Sequence, residues 1–334
     1  MSAPSRSPLA PLLDEELRAA VARRELGLAS RVRGNRQGPH RSRRAGAGAD
    51  FLDHRAYHPG DDPRQLDWRA AARRDRLVVR RYEAEDELAT TLVLDQSAGL
   101  AYPRADDPQS KAAAARSLAA AVAELAYRQS DPIAFATGGD GGVEDTFLRP
   151  RASREQANAL ATVLRDRRPS GVCPWTELTS RVGQGLRRPG IVVVFADLLD
   201  PDPHGDPSAA LAAFFEGLWA LRSRGHVVAL VELLHRDELE FPWSDAEIRR
   251  FEDLKDARPA VEGSGSSMRD AYLRQLGEHL EVTTRGAEAA GLAHVRAIAG
   301  RPLAPVLIEL LTRLSGARTH EAAGAAALGG STLP

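Results

Sequence analysis

Six consecutive apolar residues, Ile191–Ala196, run directly into Asp197, with stretches of helical spacing on either side. A strand that is apolar at every position cannot leave one face in water; it needs cover on both. Similar runs lie at residues 227–234, interrupted only by Glu232, at Thr91-Leu92-Val93-Leu94 before Asp95, and at 133–136. Between these runs lie segments of helical period. The spacing predicts helices over 108–128, where Leu118, Val122 and Leu125 share a face and Asp107 and Pro108 suit the start. Further helices are expected over 154–164, over 176–186 with Thr176 at the cap, over 207–224 capped by Asp206 and stopped by Gly225, over 267–290 closed by Gly291, and over 303–314. Short strands are expected at 88–94, 143–148 and 292–298. Buried strands alternating with amphipathic helices imply an α/β fold, a doubly wound and mostly parallel sheet, over residues 88–315.

The upstream part is built differently. Leu13, Leu17, Val21 and Leu28 lie at helical spacing and predict a helix over 13–26, with Asp14, Glu15 and Glu16 near its start. Residues 31–44 carry six arginines and no acid, lack periodicity, and read as a solvated basic loop. An aromatic-containing stretch from 51 to 68 turns at Pro59-Gly60-Asp61-Asp62, and residues 77–82 look like a strand. The Ala/Gly-rich segment after 316 is expected to be disordered. The resulting division is an extension over 1–87, the α/β domain over 88–315 and a tail over 316–334.

Composition narrows the chemistry. The 334 residues are 43% hydrophobic and 27% charged with a formal net charge of −1, so any basic signal is local. The single cysteine, Cys173, excludes an internal disulfide and any cysteine-cluster zinc site. Lys111 and Lys255 are the two lysines, and neither follows a glycine, so no Walker A loop exists. The apolar runs are too short to span a bilayer as helices, and residues 1–11 lack a secretory core, which points to a soluble, cytoplasmic protein.

Doubly wound sheets place ligands beyond the carboxyl ends of their strands, where strand order reverses. Asp95 and Asp197 each follow a buried strand, Ser97 lies two residues past the first, and Thr176 opens a helix between them. Two carboxylates and two hydroxyls are hard oxygen donors, a set that suits Mg²⁺ or Mn²⁺. Each also has an ordinary use, as a helix cap or a loop-bonding group.

Asp95-x-Ser97-x-Gly99 resembles the first metal loop of von Willebrand factor A domains, which reads Asp-x-Ser-x-Ser. Upstream, Tyr57-x-Pro59-Gly60-Asp61-Asp62-x-Arg64-x-x-Asp67-Trp68, followed by Leu77-Val78-Val79-Arg80-x-Tyr82-Glu83, is similar to the signature of the bacterial family called domain of unknown function 58. The resemblance covers roughly residues 50–235. It implies a von Willebrand A-like, Rossmann-like domain with an N-terminal extension. It also implies a non-enzymatic adaptor role beside a MoxR-type AAA+ ATPase, and a metal site formed by Asp95, Ser97, Thr176 and Asp197. Gly99 departs from the pattern by removing one hydroxyl ligand, which leaves a degenerate site that binds Mg²⁺ or Mn²⁺ weakly or not at all.

The segment from Tyr57 to Trp68 reads as a partner-docking element or a structural clip, in which Pro59-Gly60 turns the chain, Asp61 and Asp62 bond amides, Arg64 pairs with an acid, and Trp68 buries its ring. Two other classes compete with the adaptor: a metal-dependent hydrolase using the same acids, and a nucleic-acid accessory protein acting through residues 31–44. Missing aromatic residues near that loop argue against nucleic acid. His54 and His58 are a poor zinc pair beside Pro59, Cys173 has no designated base, and Gly263-Ser264-Gly265-Ser266-Ser267 looks like a linker.

Overall fold

A computed structural model describes residues 7–24, 26, 45–57, 66–74, 76–83, 88–139, 147–199, 205–243, 248–255 and 259–328. The chain forms two compact units, Met1–Leu28 with Leu88–Pro334, and Ala29–Glu87.

Along the chain the helices are α1 (Glu15–Ala22), α2 (Trp68–Arg74), α3 (Lys111–Arg128), α4 (Arg154–Asp166), α5 (Trp175–Gly185), α6 (Pro207–Ser223), α7 (Arg236–Glu240), α8 (Gly265–Ala289) and α9 (Ala304–Leu328). The strands are β1 (Ala45–Ala56), β2 (Val78–Glu83), β3 (Thr90–Asp95), β4 (Ile133–Gly138), β5 (Leu148–Arg151), β6 (Ile191–Ala196), β7 (Val227–His235), β8 (Ile248–Phe251), β9 (Val261–Ser264) and β10 (Ala293–Ala299).

The larger unit is an α/β domain around a mixed, mostly parallel six-stranded sheet of order β10-β7-β6-β3-β4-β5. Only β5 runs antiparallel, on the edge beside β4. This architecture is compatible with a Rossmann-like fold. Every residue of β3, β4, β6 and β7 is buried, as strands covered on both faces must be. The period of two sorts β6 between two cores. Val193 and Phe195 pack with α3, α4 and α9, whereas Val192, Val194 and Ala196 pack with α5 and α6. Alanines fill much of the buried face of α3, including Ala115, Ala119 and Ala123, so that helix lies close on the sheet.

Several local expectations change. The helix after Asp107 begins at Lys111, because Ser110 is its cap and accepts from the Ala113 amide, while Asp107 takes the Gln109 amide in the preceding turn. Pro174, not Thr176, precedes α5, and no side chain caps it. The glycine–serine segment read as a linker is the end of β9 and the start of α8. Helix α9 continues to Leu328, past the expected end of structure at 316; alanine, abundant there, is the strongest helix former. The N-terminal segment joins the main core: Leu9, Leu13, Leu17, Val21 and Leu26 are buried with α3 and α9. The Arg128 guanidinium donates to the Val21 carbonyl at 2.6 Å, and the Leu26 amide donates to Gln129 at 3.2 Å.

In the smaller unit, β1 and β2 pair as an antiparallel ribbon with two register shifts. No helix among the described residues is long and apolar enough to cross a membrane.

Candidate functional site: the carboxyl edge of the sheet

From β3 the chain builds outward through β4 and β5, then returns to place β6 against the other side of β3 and continues outward through β7 and β10. Strand order therefore reverses between β3 and β6. Asp95 ends β3 and Asp197 directly follows β6, so the topology brings them together.

Asp95, 1% exposed, ties the two strand ends to each other: Oδ1 accepts from the Ser97 amide at 2.7 Å and Oδ2 from the Asp197 amide at 3.0 Å. Burial lifts its carboxyl from 3.8 to about 6, helped by the neighbouring Asp197 charge and opposed by the two amides. The Ser97 hydroxyl is buried beside this carboxylate and makes no hydrogen bond of good geometry.

A residue that sequence reading passed over as a binding group completes the centre. Lys111, the first residue of α3 and 2% exposed, donates from Nζ to Asp197 Oδ2 and to Glu238 Oε1, both at 2.7 Å. Burial opposes its charge, but Asp197 and Glu238 hold its pKa above the usual lysine value. Glu238 sits in α7, where a capping box fixes it: its Oε2 accepts from the His235 amide at 2.7 Å, and His235 Nδ1 accepts from the Asp237 amide at 3.1 Å. Burial and Asp197 raise the Glu238 carboxyl, with Lys111 opposing. The free oxygen of Asp197, Oδ1, accepts from the Leu199 amide at 3.2 Å. Each of the six carboxylate oxygens of Asp95, Asp197 and Glu238 thus receives a hydrogen bond.

The signals for these two residues are visible in retrospect. Lys111 is a cation in the first turn of a helix, where the dipole disfavours it, and His235-x-x-Glu238 has capping-box spacing.

Thr176 does not join the cluster as the spacing suggested: it is exposed in the first turn of α5, and its hydroxyl bonds neither carboxylate. A Cβ at Gly99 would lie 2.5 Å from Asp197 Oδ2, so the serine that a metal loop carries there would require this carboxylate to turn from its present place. As placed, this set does not suit Mg²⁺ or Mn²⁺: two expected hydroxyls are missing, and an ammonium lies against Asp197. Among the described residues no group of three or more His, Cys, Asp or Glu is arranged to hold a metal ion. Cys173 is buried, and burial with the nearby Asp95 charge keeps its sulfur a thiol.

In the smaller unit, Asp67 caps α2, its Oδ1 accepting from the Arg69 and Ala70 amides at 3.1 and 3.0 Å, and its Oδ2 bonding His54 Nε2 at 2.9 Å. The Tyr57 amide donates to the Leu77 carbonyl at 3.0 Å. Trp68 does not bury its ring as the sequence suggests; it is 64% exposed, and the buried side of α2 is taken by Ala70. Pro59, Gly60, Asp61, Asp62 and Arg64, together with His58 and residues 31–44, lie outside the described residues.

A family model described as a protein of unknown function, DUF58, matches residues 53–281. Uncharacterized proteins of Mycobacterium tuberculosis (strain ATCC 25618 / H37Rv) and Mycobacterium bovis (strain ATCC BAA-935 / AF2122/97) are each 29% identical over 244 residues, covering 69% of this chain and 68% of theirs. Among solved structures, an aerotolerance-related membrane protein from Bacteroides fragilis NCTC 9343 is similar at a TM-score of 0.37 and 10% identity, over 69% of this chain and 99% of that one. The pilus adhesin SpaC from Lactobacillus rhamnosus GG is similar at a TM-score of 0.38 and 12% identity, over 70% and 30%.

Proposed function

The chain belongs to the DUF58 family, and on that premise we propose that it is a non-catalytic protein-interaction module of von Willebrand A type, working in the cytoplasm beside a MoxR-type AAA+ ATPase. The observation that carries this reading is Trp68. It is a large aromatic side chain, 64% exposed, inside the family's signature segment. Its neighbour Asp67 is committed to capping α2 and bonding His54, so the tryptophan is held outward on an ordered helix start. Tryptophan is among the residues enriched at the energetic hot spots of protein interfaces.

The strand-end acids support a binding role over hydrolysis, because all their oxygens are engaged within the cluster and Cys173 is a buried thiol. The von Willebrand A assignment is supported by the Asp95-x-Ser97 loop at the β3–β6 switch point. The partner comes from the family resemblance.

The test is titration of the purified chain with a MoxR-type ATPase from the same source. Saturable binding is expected, and Trp68→Ala should weaken it by about 2 kcal/mol, roughly 30-fold, with an unchanged melting curve. Absence of binding by the wild-type chain would remove the ATPase from the reading. Binding untouched by Trp68→Ala would move the docking surface elsewhere.

A further inference from the structure

We propose that the Lys111 ammonium is the resident cation of the strand-end crevice, standing where a divalent ion would otherwise be held, and that removing it uncovers a site for such an ion. The proposal is independent of whether Trp68 docks a partner.

Four features of the cluster carry it. First, Nζ lies 2.7 Å from both Asp197 Oδ2 and Glu238 Oε1 and is sealed from water, so a positive charge already occupies the space between these acids. Second, each oxygen of the three carboxylates already accepts a hydrogen bond. A divalent ion would have to displace donors and also sit beside an ammonium, where like charges repel most strongly in a dry site. Third, Gly99 is matched to this arrangement. The Asp197 carboxylate, turned toward Lys111, takes the space that any side chain at 99 would need. Fourth, Lys111 starts a helix whose dipole disfavours a cation there, so the acids are what retain it.

Taking the lysine away changes the donor set. Asp197 Oδ2 and Glu238 Oε1 lose their donor and face each other across the vacated space. The buried Ser97 hydroxyl, with no hydrogen bond of good geometry, is a neutral oxygen beside Asp95 at the same strand ends. Glu238, from an element the metal loop does not include, replaces what Gly99 and Thr176 fail to supply. Clustered carboxylate and hydroxyl oxygens are the ligands Mg²⁺ and Mn²⁺ prefer.

The experiment is a Mn²⁺ titration of the full chain, read by loss of the free-ion electron paramagnetic resonance signal and by thermal shift. The wild-type chain is expected to leave Mn²⁺ free and to melt at the same temperature with or without it. Lys111→Ala is expected to take up one equivalent, at least about tenfold tighter than wild type, and to melt higher when Mn²⁺ is present. Adding Asp197→Asn to that variant should abolish the uptake. Uptake by the wild-type chain that Asp197→Asn removes would overturn the proposal, as would a folded Lys111→Ala that takes none. If Lys111→Ala folds only with Mn²⁺, that rescue supports it. If it folds under neither condition, Lys111→Met, which keeps the apolar stem, is titrated in its place and judged by the same outcomes.

Discussion

A carboxylate held between two strand ends and shut from water gains its proton more readily folded than unfolded. Asp95 is that residue. Burial first, then the Asp197 charge, lifts its carboxyl to about 6 from an ordinary 3.8. Because the native state binds the proton more tightly, stability is greatest below the unfolded value and falls as pH rises through the folded one, then levels off. Asp95→Asn removes that slope. Denaturant unfolding across this range should show wild-type stability falling relative to Asp95→Asn by roughly 2–3 kcal/mol. A constant difference across pH would mean that Asp95 does not titrate there. At this scale the sequence was half legible. Asp95, Ser97 and Asp197 could be named because they follow buried strands. Lys111 reads in the sequence only as a lysine that no glycine precedes, because its role depends on partners 86 and 127 residues away.

Helix α7 shows how a short element is placed by the residues beyond its own end. Five residues make a weak helix, and the capping box at His235 and Glu238 fixes only its start. Its end is fixed by Phe241, a non-glycine residue at φ 45°, conformationally unfavourable and tolerated because the ring is buried. Phe241 meets Trp243 edge-on at 4.7 Å, Tyr272 of α8 at 5.1 Å and Phe251 of β8 at 6.0 Å. Through this cluster the β8–β9 hairpin and α8 hold Glu238 over Lys111. Phe241→Ala should cost about 3–5 kcal/mol in denaturant unfolding. It should also release Tyr272, whose phenol is pushed up to about 12 by burial and the Glu238 charge, so its spectroscopic titration should move down toward 10. A stability loss with an unmoved Tyr272 titration would uncouple the aromatic cluster from the charge centre. The buried strands β3, β4, β6 and β7 and the long helices are readable from period alone, but β1 is not, β5 is found at 148–151 rather than 143–148, and the β8–β9 pair is missed because its strands are four residues each and too short to show alternation.

At the scale of the whole molecule, the division of the chain is not the division of the sequence. The first 28 residues belong with residues 88–334, and the segment between them forms its own unit. Removing residues 1–28 should therefore expose the main core. Leu9, Leu13, Leu17, Val21 and Leu26 are each worth about 1.5–3 kcal/mol of burial before entropy is counted. The truncated chain should melt far lower than the full chain or fail to fold, with increased binding of a hydrophobic dye as the second readout. An unchanged melting curve would show that the segment merely lies on the surface. The helical spacing of Leu13, Leu17 and Val21 announced an apolar face on that helix. What the face packs against was not written locally, because α3, α9 and the sheet are distant in sequence.

The sequence by itself determined the alternation of buried strands and helices, the parallel sheet and the pair of aspartates at its switch point. Those features derive from periodicity and from the rule that doubly apolar strands need cover on both sides. Only the tertiary structure decided what the aspartates face. A side chain's partner in a buried centre depends on which elements cross above it, and here α3 delivers an ammonium where the local motif alone suggested a metal ion.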